Sequence, residues 1–198
     1  MTLLITSLIR KTTLFLVAAT LSVSAMAAEL SQIQREANQG DAQAQAFLGA
    51  IYAQGEGVRQ DYSKSAQWFE KSANQGNAGA QFILGSMYAR GNGVRQDYSK
   101  SAQWLEKSAN QGNADAQYAL GAIYAQGEGV RQDYSKSAQW FEKSANQGNA
   151  GAQFILGSMY ARGDGVRQDY AVAKEWFGKA CDNGNQDGCN NYRILNQR

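Results

Sequence analysis

Gly57-Val58-Arg59-Gln60-Asp61-Tyr62 recurs unchanged as Gly93–Tyr98, Gly129–Tyr134 and Gly165–Tyr170, each copy 36 residues after the last. A fixed period of that length marks one supersecondary unit copied several times. Working outward from the hexapeptide gives four units, 41–76, 77–112, 113–148 and 149–184. A partial unit, 28–40, precedes them, and a closing segment, 185–198, follows. Units one and three are nearly identical, and two and four agree over their first halves, so the array reads as a duplicated 72-residue pair.

Each unit is predicted to hold two helices. In the first, Ala44, Gln45, Leu48 and Tyr52 fall on one side of a 3.6-residue helix, with Gly49 beside them leaving room for a neighbour. Gly55-Glu56-Gly57 breaks that helix, because glycine accepts the left-handed terminator conformation. Asp61 is a good N-cap for the second helix, whose apolar face is Tyr62, Ser65, Ala66, Phe69 and Ala73, flanked by Trp68. Gly76 ends it and Asn77 caps the next, so glycine and Asx residues supply all the punctuation in a chain without proline.

A helix pair this small cannot bury its own apolar face, whereas stacked copies can. The expected fold is therefore all-α: a right-handed α-solenoid of antiparallel helix pairs with a concave inner surface. The segments 28–40 and 185–198 are expected to act as caps.

The same residues resemble the Sel-1-like repeat family, a relative of the tetratricopeptide repeats. The pattern that carries the resemblance is supplied in unit one by Ala42, Ala44, Gln45, Leu48, Gly49, Tyr52, Gly55, Gly57, Val58, Asp61, Tyr62, Lys64, Trp68, Lys71, Ala73, Gln75 and Gly76. Ser65, Ser72 and, in unit four, Cys181 stand where the family has alanine. The resemblance implies an adaptor that binds proteins or peptides and catalyses nothing, with first helices lining the concave wall.

Residues 1–27 read as an address rather than as structure. Arg10 and Lys11 precede the apolar run Leu14–Val23, and Ala25-Met26-Ala27 supplies a small-residue cleavage pattern, with the cut expected between Ala27 and Ala28. The protein is then periplasmic or secreted and carries no stable membrane anchor. Arg10 and Lys11 account for the whole formal charge of +2, so the mature chain is balanced and gives no electrostatic case for nucleic acid. A monomer is expected.

The two cysteines, Cys181 and Cys189, bracket one predicted corner between helices. In an exported protein such a pair reads as a disulfide. A redox-active pair would favour C-x-x-C spacing, and zinc would need more ligands than two thiols in a chain with no histidine. The spacing is also similar to the cysteine-rich branch of the Sel-1-like family, some of whose members are described as penicillin-binding or β-lactamase proteins. That resemblance implies the alternative function, a β-lactam or peptidoglycan-fragment binder with weak hydrolysis.

Catalysis finds little support in the residues. No Ser-x-x-Lys occurs in the mature chain, and the recurring Ser63-Lys64-Ser65 reads as a solvated first turn. The repeated Gly-x-Gly lacks the remainder of a phosphate loop. Glu56, Glu128 and Asp164 read as solvated loop tips. No cofactor or metal is expected.

Stacking demands sameness and recognition does not, so positions that vary between units are candidate contacts. The sixth residue of each unit is Ala46, Phe82, Tyr118 or Phe154. On the same helical side lie Ala50/Ser86/Ala122/Ser158 and Gln54/Arg90/Gln126/Arg162. Together they make an aromatic and arginine ladder, the residue types that interface hot spots favour; the rings could equally serve as packing between units. The adjacent stripes Phe47/Ile83/Ala119/Ile155 and Ile51/Met87/Ile123/Met159 are expected in the core, as are Trp68, Trp104, Trp140 and Trp176.

Overall fold

The computed structural model describes residues 28–197. The leader reading of 1–27, with its cut after Ala27, lies outside the described residues, and Ala28 opens the first helix, α1 (28–38). Four helix pairs follow: α2 (Ala42–Gln54) with α3 (Tyr62–Asn74), α4 (Ala78–Arg90) with α5 (Tyr98–Asn110), α6 (Ala114–Gln126) with α7 (Tyr134–Asn146), and α8 (Ala150–Arg162) with α9 (Tyr170–Asp182). The last is α10 (Gln186–Asn196), and no strand occurs among the described residues. From α2 onward each helix packs on its chain neighbours, so the molecule is a solenoid of stacked pairs.

The local chemistry follows the repeated sequence. Asp61 and Asn77 accept hydrogen bonds from the Lys64 and Ala80 amides at 2.9 Å, and their counterparts cap the other helices. Gly55 ends α2 at φ 78°, in the left-handed region. The invariant hexapeptide is a linker clamp. Gln96 donates to the Ala89 carbonyl at 2.8 Å and to the Tyr98 hydroxyl at 3.0 Å, and Val94 packs on the core. Gly85 permits close approach: a Cβ there would stand 2.8 Å from Leu105, and at Gly121 one would stand 3.0 Å from the Phe141 ring.

Three apolar clusters repeat along the array, each built from one unit's second helix and the next unit's first helix. The first combines Ala66, Phe69 and Ala73 with Ala80, Leu84 and Met87. Its copies centre on Leu105 with Leu120 and on Phe141 with Leu156. Trp104 and Trp140 pack against the cluster that precedes them, and each tryptophan lies under a lysine of its own helix, Lys71 standing 3.8 Å from the Trp68 ring.

Three expectations need correction here. Tyr62 is exposed: the buried face of α3 is Ser65, Ala66, Phe69, Ser72 and Ala73, and the Tyr62 hydroxyl is held by Gln60 Nε2 instead. Ser63 and Lys64 are exposed, whereas Ser65, grouped with them in the solvated-turn reading, is fully buried, as its place on the apolar face of α3 requires. Phe47 is 55% exposed, whereas its counterparts Ile83, Ala119 and Ile155 are half-buried. Ile83 packs beside Ala46 and Ala50 of the preceding first helix. Phe47 has no such partner, because α1 corresponds to a second helix and no first helix precedes it among the described residues.

A polar seam runs through every corner. Gln45, Gln81, Gln117 and Gln153 are buried and donate to the carbonyls of Ala37, Ala73, Ala109 and Ala145 at 3.0–3.1 Å. Their own amide oxygens accept from Gln75, Gln111, Gln147 and Asn183. Ser72, Ser108 and Ser144 donate to the carbonyls of Ala42, Ala78 and Ala114 at 2.6–2.7 Å. Ser72 and its copies thus spend their hydroxyls inside the unit.

Candidate interaction surface

The varying ladder lies on the first helices. Phe82, Tyr118 and Phe154 are half-buried, and their outer edges remain on the surface. Tyr118 meets Phe141 edge-on at 5.6 Å between centroids, and Phe154 lies 5.8 Å from Phe177. These rings therefore share in the packing while lining the face. Ser86 and Ser158 turn their hydroxyls to the Phe82 and Phe154 carbonyls of their own helices at 3.0 Å. Gln54, Arg90, Gln126 and Arg162 are exposed in the last helical turns.

The structure gathers two of these groups into cavities. Phe82, Ser86 and Arg90 line an open cavity of about 270 Å³ between α2, α3 and α4, with Ala53, Ser65 and Phe69. Phe154, Ser158 and Arg162 line another of about 410 Å³ between α8, α9 and α10, with Phe177, Ile194 and Leu195. Tyr118, Gln54 and Gln126 border neither. The two arginines differ in charge balance. Arg162 is ion-paired with Asp164 at 2.6 Å, so that loop tip is engaged rather than merely solvated. Arg90 has the neutral Asn92 in the equivalent place and forms no ion pair among the described residues.

Ser63 donates to the Gly93 carbonyl at 3.3 Å, and Lys64 stands over the Tyr52 ring. Among the described residues, no group of three or more metal-ligating side chains comes together.

Cys181 and Cys189 are bonded, with Cα atoms 4.5 Å apart. Their positions explain why they sit there. Cys189 is the counterpart of Gln81 and Cys181 the counterpart of Ala73, so the covalent link crosses the corner that elsewhere a glutamine–carbonyl hydrogen bond crosses. Replacing both by serine is expected to lower stability by about 2–3 kcal/mol, since so short a loop constrains the unfolded chain by that amount. Urea denaturation of the double variant with and without reductant checks it, and the loss should equal that of the reduced parent.

Helix pairs of constant length, stacked one on the next at a fixed 36-residue period, define a helical repeat protein. The chain belongs to the Sel1 repeat family: the family model matches residues 42–77, 78–113, 114–149 and 150–185. Members of that family are typically protein–protein interaction modules and are generally not catalytic. Among curated proteins, nothing matches the sequence.

Solved structures give close likenesses. A protective antigen present in uropathogenic Escherichia coli strains, displaying an SLR fold, is 40% identical with a TM-score of 0.79, over 81% of this chain and 34% of its own. A Sel1 repeat protein from Oxalobacter formigenes is 38% identical with a TM-score of 0.77, over 84% of this chain and 48% of its own. The Helicobacter pylori cysteine rich protein B is 27% identical with a TM-score of 0.53, over 69% of this chain and 98% of its own. The chain thus spans about a third and about half the length of the first two structures it matches.

Proposed function

We propose that the protein is an exported, non-enzymatic interaction module that takes an extended peptide, or a segment of a protein surface, along the face made by its first helices. The observation that carries this is the clustering of Phe82, Ser86 and Arg90, and of Phe154, Ser158 and Arg162, in two open cavities on a scaffold whose hexapeptide and leucine–glycine pair recur in every unit. Export is supported by the leader pattern of 1–27 and by a disulfide, a bond that persists in oxidising compartments. The resemblance of the cysteine spacing to the cysteine-rich branch of the family, to which the likeness to the Helicobacter cysteine rich protein adds, keeps a β-lactam or peptidoglycan-fragment ligand as the second reading.

Affinity capture from envelope extracts with the chain from Ala28 onward tests the first reading. The double variant Arg90→Gln, Arg162→Gln changes only exposed side chains and should melt like the parent, yet recover about fivefold less or worse of the co-purifying partner. Equal recovery would remove this face from the interaction. Turnover of a chromogenic β-lactam above background by the disulfide-intact protein would promote the second reading.

A further inference from the structure

The cavity between α2, α3 and α4 adjoins Phe69 of the one unit that departs from the other three at its sixth position. Units two, three and four carry a ring at their sixth position, and unit one carries Ala46. In unit three that ring, Tyr118, sits edge-on against Phe141, and in unit four Phe154 sits against Phe177. Phe69 is the counterpart of both receiving rings and has no such partner from its own unit; like Phe177 it forms part of a cavity wall, but without a sixth-position ring of its own unit beside it. Phe82, Ile83 and Met87 complete an apolar lining.

Two polar groups are left over in the same place. Ser65 lines the cavity, is fully buried, and its hydroxyl, like that of Ser101 in unit two, has no hydrogen-bond partner; the equivalent Ser137 donates to the Gly121 carbonyl at 2.7 Å. A buried hydroxyl without a partner is destabilising by itself and is relieved by an acceptor. At the rim stands Arg90, which unlike its counterpart Arg162 forms no ion pair among the described residues, beside Asn92. A guanidinium with free donors matches a carboxylate.

Resting on the interaction-module reading above, we propose that this cavity is a side-chain pocket for an aromatic residue of a partner peptide, with a carboxylate on that residue or the one beside it bound by Arg90. The incoming ring replaces the one that Ala46 omits. The pocket in the last unit is unsuited to the same ligand, because Asp164 already neutralises Arg162 and Ile194 and Leu195 of α10 form part of its wall.

The probe is fluorescein-Gly-Ser-Gly-Ser-Gly-Phe with a free C-terminus, titrated by anisotropy with the chain from Ala28 onward. Saturable binding is expected, weakened about tenfold or more by Phe→Ala in the peptide and by Ala46→Phe in the protein. Ala46→Phe installs the residue that units two and four already hold there, so its melting temperature should match or exceed the parent's. Arg90→Gln should weaken binding about tenfold, as should C-terminal amidation. An amidated peptide carrying internal Glu-Phe separates the two sources of carboxylate: rescue assigns it to a side chain, failure to the chain terminus, and either outcome supports the pocket. Absence of binding by the parent, or equal binding by Ala46→Phe, overturns the pocket. So does indifference to both Arg90→Gln and removal of every carboxylate. Probe binding lost in Tyr118→Ala but kept in Ala46→Phe also overturns it, while leaving the wider groove standing; the capture experiment judges the groove separately.

Discussion

Gly129→Ala is expected to destabilise the protein by about 2–5 kcal/mol, the sum of a left-handed backbone penalty for alanine and a steric overlap that only backbone movement can relieve. Gly129 has φ +68°, and a Cβ there would stand 2.3 Å from the Tyr98 carbonyl carbon and 2.4 Å from the Ser99 amide nitrogen. Those atoms belong to the first turn of the preceding unit's second helix, so the loop backbone of one unit rests directly on the backbone of the unit before it. Gly93 on Tyr62 and Gly165 on Tyr134 repeat the contact. Gly148→Ala is the control. It also has positive φ, at +90°, but nothing lies within 4 Å of a Cβ there, so about 1 kcal/mol is expected. Urea unfolding followed by tryptophan fluorescence compares the two. Equal losses would mean that the hexapeptide glycine is selected for its φ alone.

That contact shows what periodicity can and cannot convey. The hexapeptide, the Asx caps and the Leu48, Leu84, Leu120 and Leu156 series were legible because helix punctuation and apolar period are written directly in residue type. The direction each loop glycine faces was not, since glycine in a turn looks alike whether it meets solvent or another backbone. Buried polar residues were harder still. Ser72 and its copies are wholly buried because each hydroxyl finds a carbonyl 30 positions earlier, a pairing that no local pattern announces. Tyr62 failed in the opposite sense, an aromatic at an apolar period whose hydroxyl is tied at the surface.

The ladder on the first helices was read from differences between units, and the structure explains why that reading came out half groove and half core. Position six rests on the second helix of its own unit, so any ring there both packs and lines the face. Ala46 drops out of that pattern and leaves Phe69 without a ring from its own unit. The ends of the array follow similar logic. Glu29 and Glu36 of α1 occupy the places where Ser65 and Ser72 are buried in α3, and both are exposed. Arg193 of α10 occupies the place of Gly49, where a second helix would have to press close. At both ends of the described residues, charged side chains stand where internal units carry small ones.

Phe141→Ala is expected to be the most damaging core change, at about 3–5 kcal/mol, because a fully buried ring is removed from a site with little freedom to collapse. Phe141 is 1% exposed; it supports Tyr118 edge-on and presses on Gly121 closely enough that a Cβ there would be 3.0 Å away. Its cluster also contains Leu156 and Met159 of the next unit, so the deletion weakens two interfaces at once. In an array where each unit is stabilised only by its neighbours, a central loss of this size should divide the chain into two weaker cooperative blocks. Hydrogen exchange should then quicken most in α6–α8, and the urea transition should broaden. The molecule contains its own control. Unit two already uses Leu105 where units one and three use phenylalanine, with Leu105 packed so that a Cβ on Gly85 would meet it at 2.8 Å. Phe141→Leu should therefore lose no more than about 1.5 kcal/mol and keep a single sharp transition. A broad transition in the leucine variant, or a sharp one in the alanine variant, would mean that neighbouring units are less dependent on this ring than their shared cluster requires.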